Sequence, residues 1–220
     1  MGPIESGVQT AGFVYTWDEW LGDELMRTSW AQLTEEISAC NKCRLCETRN
    51  NVVPGEGDPH AALMFIGEGP GHDEDMQGRP FVGRSGELLT RMIAAIGLER
   101  DQVYICNVVK CRPPNNRNPE PDEAQACLNY LRAQVALVRP RVVVLLGKVA
   151  CRYTLQQEIS VMREHGKWYE RKGVWFMPTF HPSALLRDPS KKREAWDDFQ
   201  KVRAKLSEIQ AEANGAEADK

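Results

Sequence analysis

The stretch Val142-Val143-Val144-Leu145-Leu146-Gly147 (VVVLLG) decides the fold class. Five consecutive aliphatic residues leave no polar face, so a strand built from them must be covered on both sides. Such strands belong to sheets sandwiched between helices. Working outward, ALMFIG (62–67), VYICN (103–107) and VWFMPT (174–179) read as further strands. Between them lie helical patterns. Leu88, Leu89, Met92, Ile93 and Ile96 share one face of Ser85–Ile96, and Leu128, Leu131, Val135 and Val138 share one face of Asp122–Val138, which Pro121 opens. Trp196, Phe199, Val202, Leu206 and Ile209 repeat at helical spacing near the end. The expectation is a three-layer α/β/α sandwich around a four-stranded parallel sheet.

The chain has 220 residues, enough for one such domain. Residues 1–30 read as an N-terminal extension with a short helix carrying Trp17, Trp20, Leu21 and Leu25; residues 1–15 are poor in structure-forming signals. A helix with Trp30, Leu33 and Ile37 follows a cap at Thr28 or Ser29. The domain then spans 31–210, and 211–220 reads as a flexible acidic tail. Hydrophobic residues make up 42% and charged residues 27%, without an apolar run long enough for a membrane helix. The N-terminus lacks the basic and apolar regions of a secretory signal, so a cytoplasmic location is expected, with no membrane partner. Seven cysteines in that setting are thiols or metal ligands rather than disulfides. The net charge of −3 does not announce a nucleic-acid binder, but positive charge gathers at Lys110, Arg112 and Arg117 and again at Arg187, Lys191, Lys192 and Arg193.

In open parallel sheets ligands bind beyond the carboxyl ends of the strands. Four unusual segments fall there: GEGPG, Asn107 with KCRPP, Gly147-Lys148, and HPSALLR. GEGPGHDEDMQGRPFVGRSG (67–86) is glycine-rich but lacks a phosphate-loop lysine, and its Glu68, Asp73, Glu74 and Asp75 would repel phosphate. A neutral planar ligand suits it better, with Phe81 as a stacking face or a core residue. The amide of Asn107 both donates and accepts, matching the edge of uracil and not that of cytosine; it equally suits a strand-end cap. His181 could stabilise negative charge on a departing group, or simply occupy a turn. Leu185, Leu186 and Arg187 form an apolar tip with basic flanks, which reads either as a wedge into a duplex or as buried leucines.

Cys40 and Cys43 (C-x2-C) and Cys111 and Cys127 (C-x15-C) form two pairs that can meet at one soft metal site, zinc or iron–sulfur. Cys46 extends the first pair to a ferredoxin-like spacing that lacks its fourth cysteine, so it is expected to be a non-ligand. Cys106 and Cys151 sit in or beside apolar runs as core thiols.

Taken together, Cys40, Cys43, the 67–86 loop, NVVKCRPPNNRNP, Cys127 and HPSALLR resemble the iron–sulfur (family 4) uracil-DNA glycosylases over roughly residues 35–207. The resemblance implies a [4Fe–4S] cluster on Cys40, Cys43, Cys111 and Cys127. It implies a pocket in which Gly67 and Gly69 approach the base, Phe81 stacks on uracil, Asn107 reads its edge, His181 faces O2, Glu68 positions water or the sugar, and Glu74 blocks a thymine methyl group. Leu185, Leu186, Arg187 and Lys191 would contact DNA. The activity implied is base flipping followed by hydrolysis of the N-glycosidic bond by a monomer acting on single- or double-stranded DNA, giving free uracil and an abasic site. A weakly catalytic DNA-binding module of the same fold, and a zinc-stapled nucleotide-binding protein, are the rivals. Gly69 and Ser85 stand where the family often has alanine, His72 is an additional imidazole, and residues 112–126 contain no histidine, so a stable DNA crosslink is not expected.

Overall fold

The computed structural model describes residues 28–218, with side chains to 215. The expected helix around Trp17 and Trp20 lies outside the described residues. The four expected strands are present: β2 (Leu63–Gly67), β3 (Tyr104–Asn107), β4 (Val142–Leu146) and β6 (Val174–Thr179). They are parallel and lie side by side in the order β3-β2-β4-β6. The sheet has six strands rather than four, and it is mixed. Short β1 (Glu56–Gly57) and β5 (Tyr169–Arg171) add antiparallel edges to β3 and β6. Both are two or three residues long and partly polar, so they carry no alternation to detect.

The pleat divides the core in two. Met64, Ile66, Tyr104, Cys106, Val143, Leu145 and Phe176 face one side. There they meet α1 (Trp30–Ser38), α4 (Pro121–Val138) and α5 (Lys148–Leu155). Leu63, Phe65, Ile105, Val142, Val144, Leu146 and Met177 face the other. Between α1 and α4 in sequence lie α2 (His72–Gln77) and α3 (Arg84–Ala95). After α5 come α6 (Val161–Glu164), α7 (Pro182–Arg187) and α8 (Lys192–Ala218). Leu89 and Ile93 of α3 and Phe199 and Val202 of α8 cover the second face. Every residue of β2 and β4 is buried, as a strand covered on both sides requires. The three-layer architecture expected from sequence is therefore the one observed.

Ser29 caps α1 through a reciprocal exchange with Gln32, and Trp30 packs its ring 5.4 Å from that of Tyr104. Trp196 departs from the expected apolar stripe of α8 and is 45% exposed. Helix α8 runs on to Ala218, so most of 211–220 is helical where a flexible tail was expected. Among the described residues no helix is long and apolar enough to cross a membrane.

Chain order and spatial order diverge at β2 and β4. The crossover from β2 leads to β3 on one side, whereas β4 lies on the other. This reversal opens a crevice at the strand ends, where Gly67, Asn107, Gly147 and Thr179 are the last residues or their successors.

Candidate functional site

A broad pocket occupies that crevice. Its wall includes Glu68, Gly69, Glu74, Phe81, Asn107 and His181, with Leu185, Leu186 and Lys191 outside its lining. Gly67 pairs in register with Asn107, and a Cβ on Gly67 would overlap both the Asn107 Oδ1 and the Phe81 ring. The glycine is thus a requirement of close approach, not of backbone conformation. Gly69 is tight for another reason: a Cβ there would stand 2.7 Å from Val109 Cγ2. The glycine in place of the usual alanine suits the valine beneath it.

Asn107 is 1% exposed, and neither its Nδ2 nor its Oδ1 has a partner. A buried amide left unpaired costs roughly 1–3 kcal/mol, and orphan groups of this kind call for a ligand or a functional reason. Its backbone surroundings are firmly tied. Val108 N donates to Gly67 O at 3.0 Å and Val109 N to Glu68 O at 3.2 Å.

Phe81 adopts φ 51°, left-handed backbone that a bulky residue avoids. Three interactions hold it there. Glu74 Oε1 accepts from Val82 N at 2.9 Å and Gly83 N at 3.0 Å, while its Oε2 accepts from Gly71 N at 3.1 Å. The Arg100 guanidinium donates to the Pro80 carbonyl. Gly86 packs so closely under Phe81 that a Cβ would overlap the Phe81 carbonyl. The Glu74 carboxylate is therefore engaged as the brace of this loop. Asp75, which the sequence reading passed over as a charge, is buried and accepts from Asn50 N at 2.9 Å, clamping the loop to the 50–51 turn.

His181 caps α7. Its Nδ1 accepts from Ser183 N at 3.1 Å and lies 2.8 Å from Ser183 Oγ. This assigns the ring proton of the neutral form to Nε2. Burial, with help from Arg187, pushes its pKa down to about 4, so it is a neutral donor at physiological pH. Gly147 (φ 90°) brings the β4 end within 3.1 Å of His181 Cβ, measured from its own ideal Cβ position. Burial lifts the Glu68 carboxyl above its ordinary range, and Arg187 pulls it partly back. The Glu68 carboxylate has no hydrogen bond or ion pair among the described residues.

Several expected DNA contacts are placed differently. Leu185 is 1% exposed and packs with Leu88, Phe180 and Ala195, so it has no surface to present to a duplex. Leu186 is partly exposed and Arg187 exposed. Lys191 Nζ pairs with Glu194 at 2.9 Å. Lys110, grouped with the basic residues from its charge alone, is buried at 1% exposure. The cations that do line the pocket are Arg84, Arg117, Lys148 and Arg187. Arg84 and Lys148 follow Gly83 and Gly147 at the starts of α3 and α5, within two of the segments the sequence places at the strand ends but without a DNA contact assigned to either. Arg117 is held by Glu123 and Lys148 lies 3.7 Å from Glu158, and Glu68, Asp73 and Glu74 share the lining, so the mouth is mixed in charge. His72 is exposed at the same mouth, 3.2 Å from Asp73 Oδ1.

A second cavity lies on the α1–α4 side. Cys40, Cys43, Cys46, Cys111 and Cys127 all line it, with Arg49, Lys110 and Tyr130. Cys106 and Cys151 are buried core thiols outside it, as expected. Arg49 Nη1 donates to Cys111 Sγ at 3.1 Å, and Lys110 N to Cys127 Sγ at 3.3 Å. N–H donors aimed at cysteine sulfurs fit thiolates held by a metal group. Burial pushes the free Cys127 thiol up to about 12, a cost that a bound cation would reverse. Among the described residues no three metal-binding side chains are gathered for a single ion. Five cysteines around one cavity form a donor set of the kind that holds a soft metal ion or an iron–sulfur cluster. Cys46 shares the lining, so proximity does not separate it from the other four.

Comparison with known proteins identifies the class. Residues 54–200 match the family model of the uracil DNA glycosylase superfamily, and the chain belongs to that superfamily. Within it, the chain is 47% identical over 184 residues to a type-4 uracil-DNA glycosylase of Sulfurisphaera tokodaii, covering 80% of this chain and 84% of that one. It is 44% identical over 178 residues to those of Archaeoglobus fulgidus (77% and 89% covered) and Thermotoga maritima (78% and 92%).

Proposed function

We propose that this protein is a DNA repair glycosylase that removes uracil from DNA. The observation that carries the reading is Asn107: a buried amide with both polar atoms free, at the end of β3, beside a strained aromatic ring. Uracil offers such an amide a carbonyl acceptor next to an N–H donor. Phe81 supplies the stacking face, and the Gly67 and Gly69 backbone lets the base sit deep. The brace that Glu74 forms narrows the pocket beside the base. Unstacking the target nucleotide costs a few kcal/mol, offset by stacking and edge contacts within the pocket.

The reaction is hydrolysis of the C1′–N1 bond. The bonding electron pair leaves with uracil, the sugar gains oxocarbenium character, and a water oxygen bonds to C1′. His181, neutral with its proton on Nε2, donates to the developing negative charge at O2. Glu68 favours the positive sugar and accepts a proton from the attacking water; its lifted pKa suits that role. The uracil anion takes up a proton from solvent as Glu68 returns its own, so free uracil and an abasic site result, and a monomer suffices. Arg84, Lys148 and Arg187 meet the flanking phosphates.

Cys40, Cys43, Cys111 and Cys127 would hold a [4Fe–4S] cluster. Its contribution is a cross-link between the 40–46 segment, the loop after Asn107 and α4, stabilising through the long loops it closes.

The test uses labelled oligonucleotides with uracil, thymine or cytosine at one position, incubated with the protein and then treated with alkali. Cleavage at uracil alone is expected. No cleavage by iron-loaded protein would replace this reading with a non-catalytic DNA-binding one.

A further inference from the structure

Lys110 is a buried charge beside the site that the reaction just described does not use. Its side chain is 1% exposed, and its ammonium donates to two neutral oxygens, Asn107 O and Gln134 Oε1, each at 2.6 Å. No carboxylate among the described residues pairs with it. The Cys106 thiol is a further partner, and the Cys127 sulfur interacts with the ammonium electrostatically, so polar neighbours on several sides offset the cost of burying it. Gln134 is itself buried, and its Nε2 donates to Pro54 O at 2.7 Å and to the Tyr104 hydroxyl at 3.1 Å, which fixes its oxygen toward Lys110. The main chain of Lys110 is tied as well: its N–H meets Cys127 Sγ at 3.3 Å and its carbonyl accepts from Val53 N at 2.8 Å.

Asn107 poses a problem that this arrangement solves. Its amide must be held in one orientation, yet both polar atoms must stay free for the base, and neither has a protein partner. The orientation is set instead by the close fit of the amide against Gly67 and by the placement of its main chain. We propose that Lys110 is a positioning residue: its ammonium locks the Asn107 carbonyl and thereby aims the amide, and its own backbone anchors that lock to the cysteine cavity. The inference rests on the uracil-excising reading and says how that site is kept in register. It also gives the cysteine cavity a consequence for base recognition, since residue 110 joins Cys127 to Asn107 directly.

The experiment compares Lys110→Met, close in size but uncharged, with the wild-type holoprotein. Four quantities are measured: iron content, affinity for abasic-site DNA, affinity for free uracil, and kcat with KM on uracil-containing DNA. Iron content and abasic-DNA affinity are expected within about twofold of wild type, with KM little changed. Affinity for free uracil and kcat are expected to fall together by about tenfold or more. Unchanged uracil affinity and kcat would overturn the proposal, as would a loss that merely follows loss of iron or of abasic-DNA affinity. If Lys110→Met does not fold, Gln134→Leu, which removes the second acceptor, should show a smaller fall in the same two quantities; no fall would overturn the proposal. A wild-type protein that releases no uracil refutes the functional reading itself, and is seen in the control before any variant is compared.

Discussion

The ring of Phe81 and the imidazole of His181 stand with centres 5.6 Å apart and planes inclined by 34°. They come from separate elements: one from the loop between α2 and α3, the other from the start of α7. The gap between a stacking face and an N–H donor is thus set by two separate elements, each held by its own contacts. Phe81 depends on Gly86 beneath it and on the Glu74 brace; His181 depends on Ser183 and on the close passage of Gly147.

Gly86→Ala tests the first of these supports. Alanine inside a helix ordinarily stabilises by up to about 1 kcal/mol relative to glycine. Here the added methyl would overlap the Phe81 carbonyl, so the variant is expected to lose thermal stability and activity together. Phe81→Ala, by contrast, should keep the loop and lose the stacking face. Base–aromatic stacking of about 1–3 kcal/mol predicts a fall of roughly fivefold to 150-fold in kcat/KM. A Gly86→Ala protein with wild-type melting temperature and turnover would show that the close packing is not limiting.

Asn107→Ala separates folding from function. The substitution removes two buried polar atoms that no protein group satisfies, so the melting temperature should stay level or rise. Uracil excision should fall by about 100-fold or more, because the edge contacts vanish. Thermal denaturation beside single-turnover kinetics decides the matter; a large loss of stability would mean that the amide is bonded within the protein.

The pH profile distinguishes the two titratable groups of the pocket. His181, held near 4, stays neutral through the range in which an ordinary histidine would protonate. Glu68 is raised above the usual carboxylate range by burial, and it loses its charge as pH falls through that raised value. The acid limb of kcat should therefore lie above the ordinary carboxylate pKa and belong to Glu68. Glu68→Gln should abolish that limb along with most activity. Because the folded pKa exceeds the unfolded one, the ionised carboxylate disfavours the fold as pH rises through it. Glu68→Gln is accordingly expected to raise the melting temperature at pH 7. An acid limb unchanged in this variant would assign it to another group.

Much of this site was legible in the sequence, and the reasons are local. Asn107 stood out as a polar residue closing an apolar strand, and the loop glycines stood out by density. Topology then placed both at the carboxyl end of the sheet without any tertiary information. What the sequence could not give was burial. Lys110 and Lys191 carry the same charge, yet one is sealed behind Asn107 and the other pairs with Glu194 at the surface. Leu185 and Leu186 are adjacent and identical, and both meet the cluster around Phe180, yet only Leu185 is sealed inside it. Asp75 read as one of four acidic residues repelling phosphate, whereas it is a buried clamp on Asn50. Edge strands β1 and β5 were invisible because two or three half-exposed residues carry no period.

Glu123 links the cysteine segments by charge, and acid should undo that link. Its carboxylate receives Arg117 through contacts of 2.6 and 2.8 Å, Arg44 at 2.9 Å and the Glu120 amide at 2.8 Å. Arg44 follows Cys43, Arg117 lies in the loop after Cys111, and Glu123 precedes Cys127 by one helical turn. One acceptor thus gathers the three chain segments that bear the cysteines. The Arg117 hydrogen bonds hold its pKa at about 2, well below an unfolded glutamate near 4.3. The stability it confers is therefore present above about pH 4.3 and is lost as pH falls toward 2. Glu123→Gln should lower the melting temperature at pH 7 and flatten its acid dependence between those values. Iron retention during dialysis at pH 7 should also fall in the variant, since the segments are no longer gathered. A melting temperature equal to wild type at both pH 7 and pH 3 would show that the two arginines contribute nothing to holding the cysteines together.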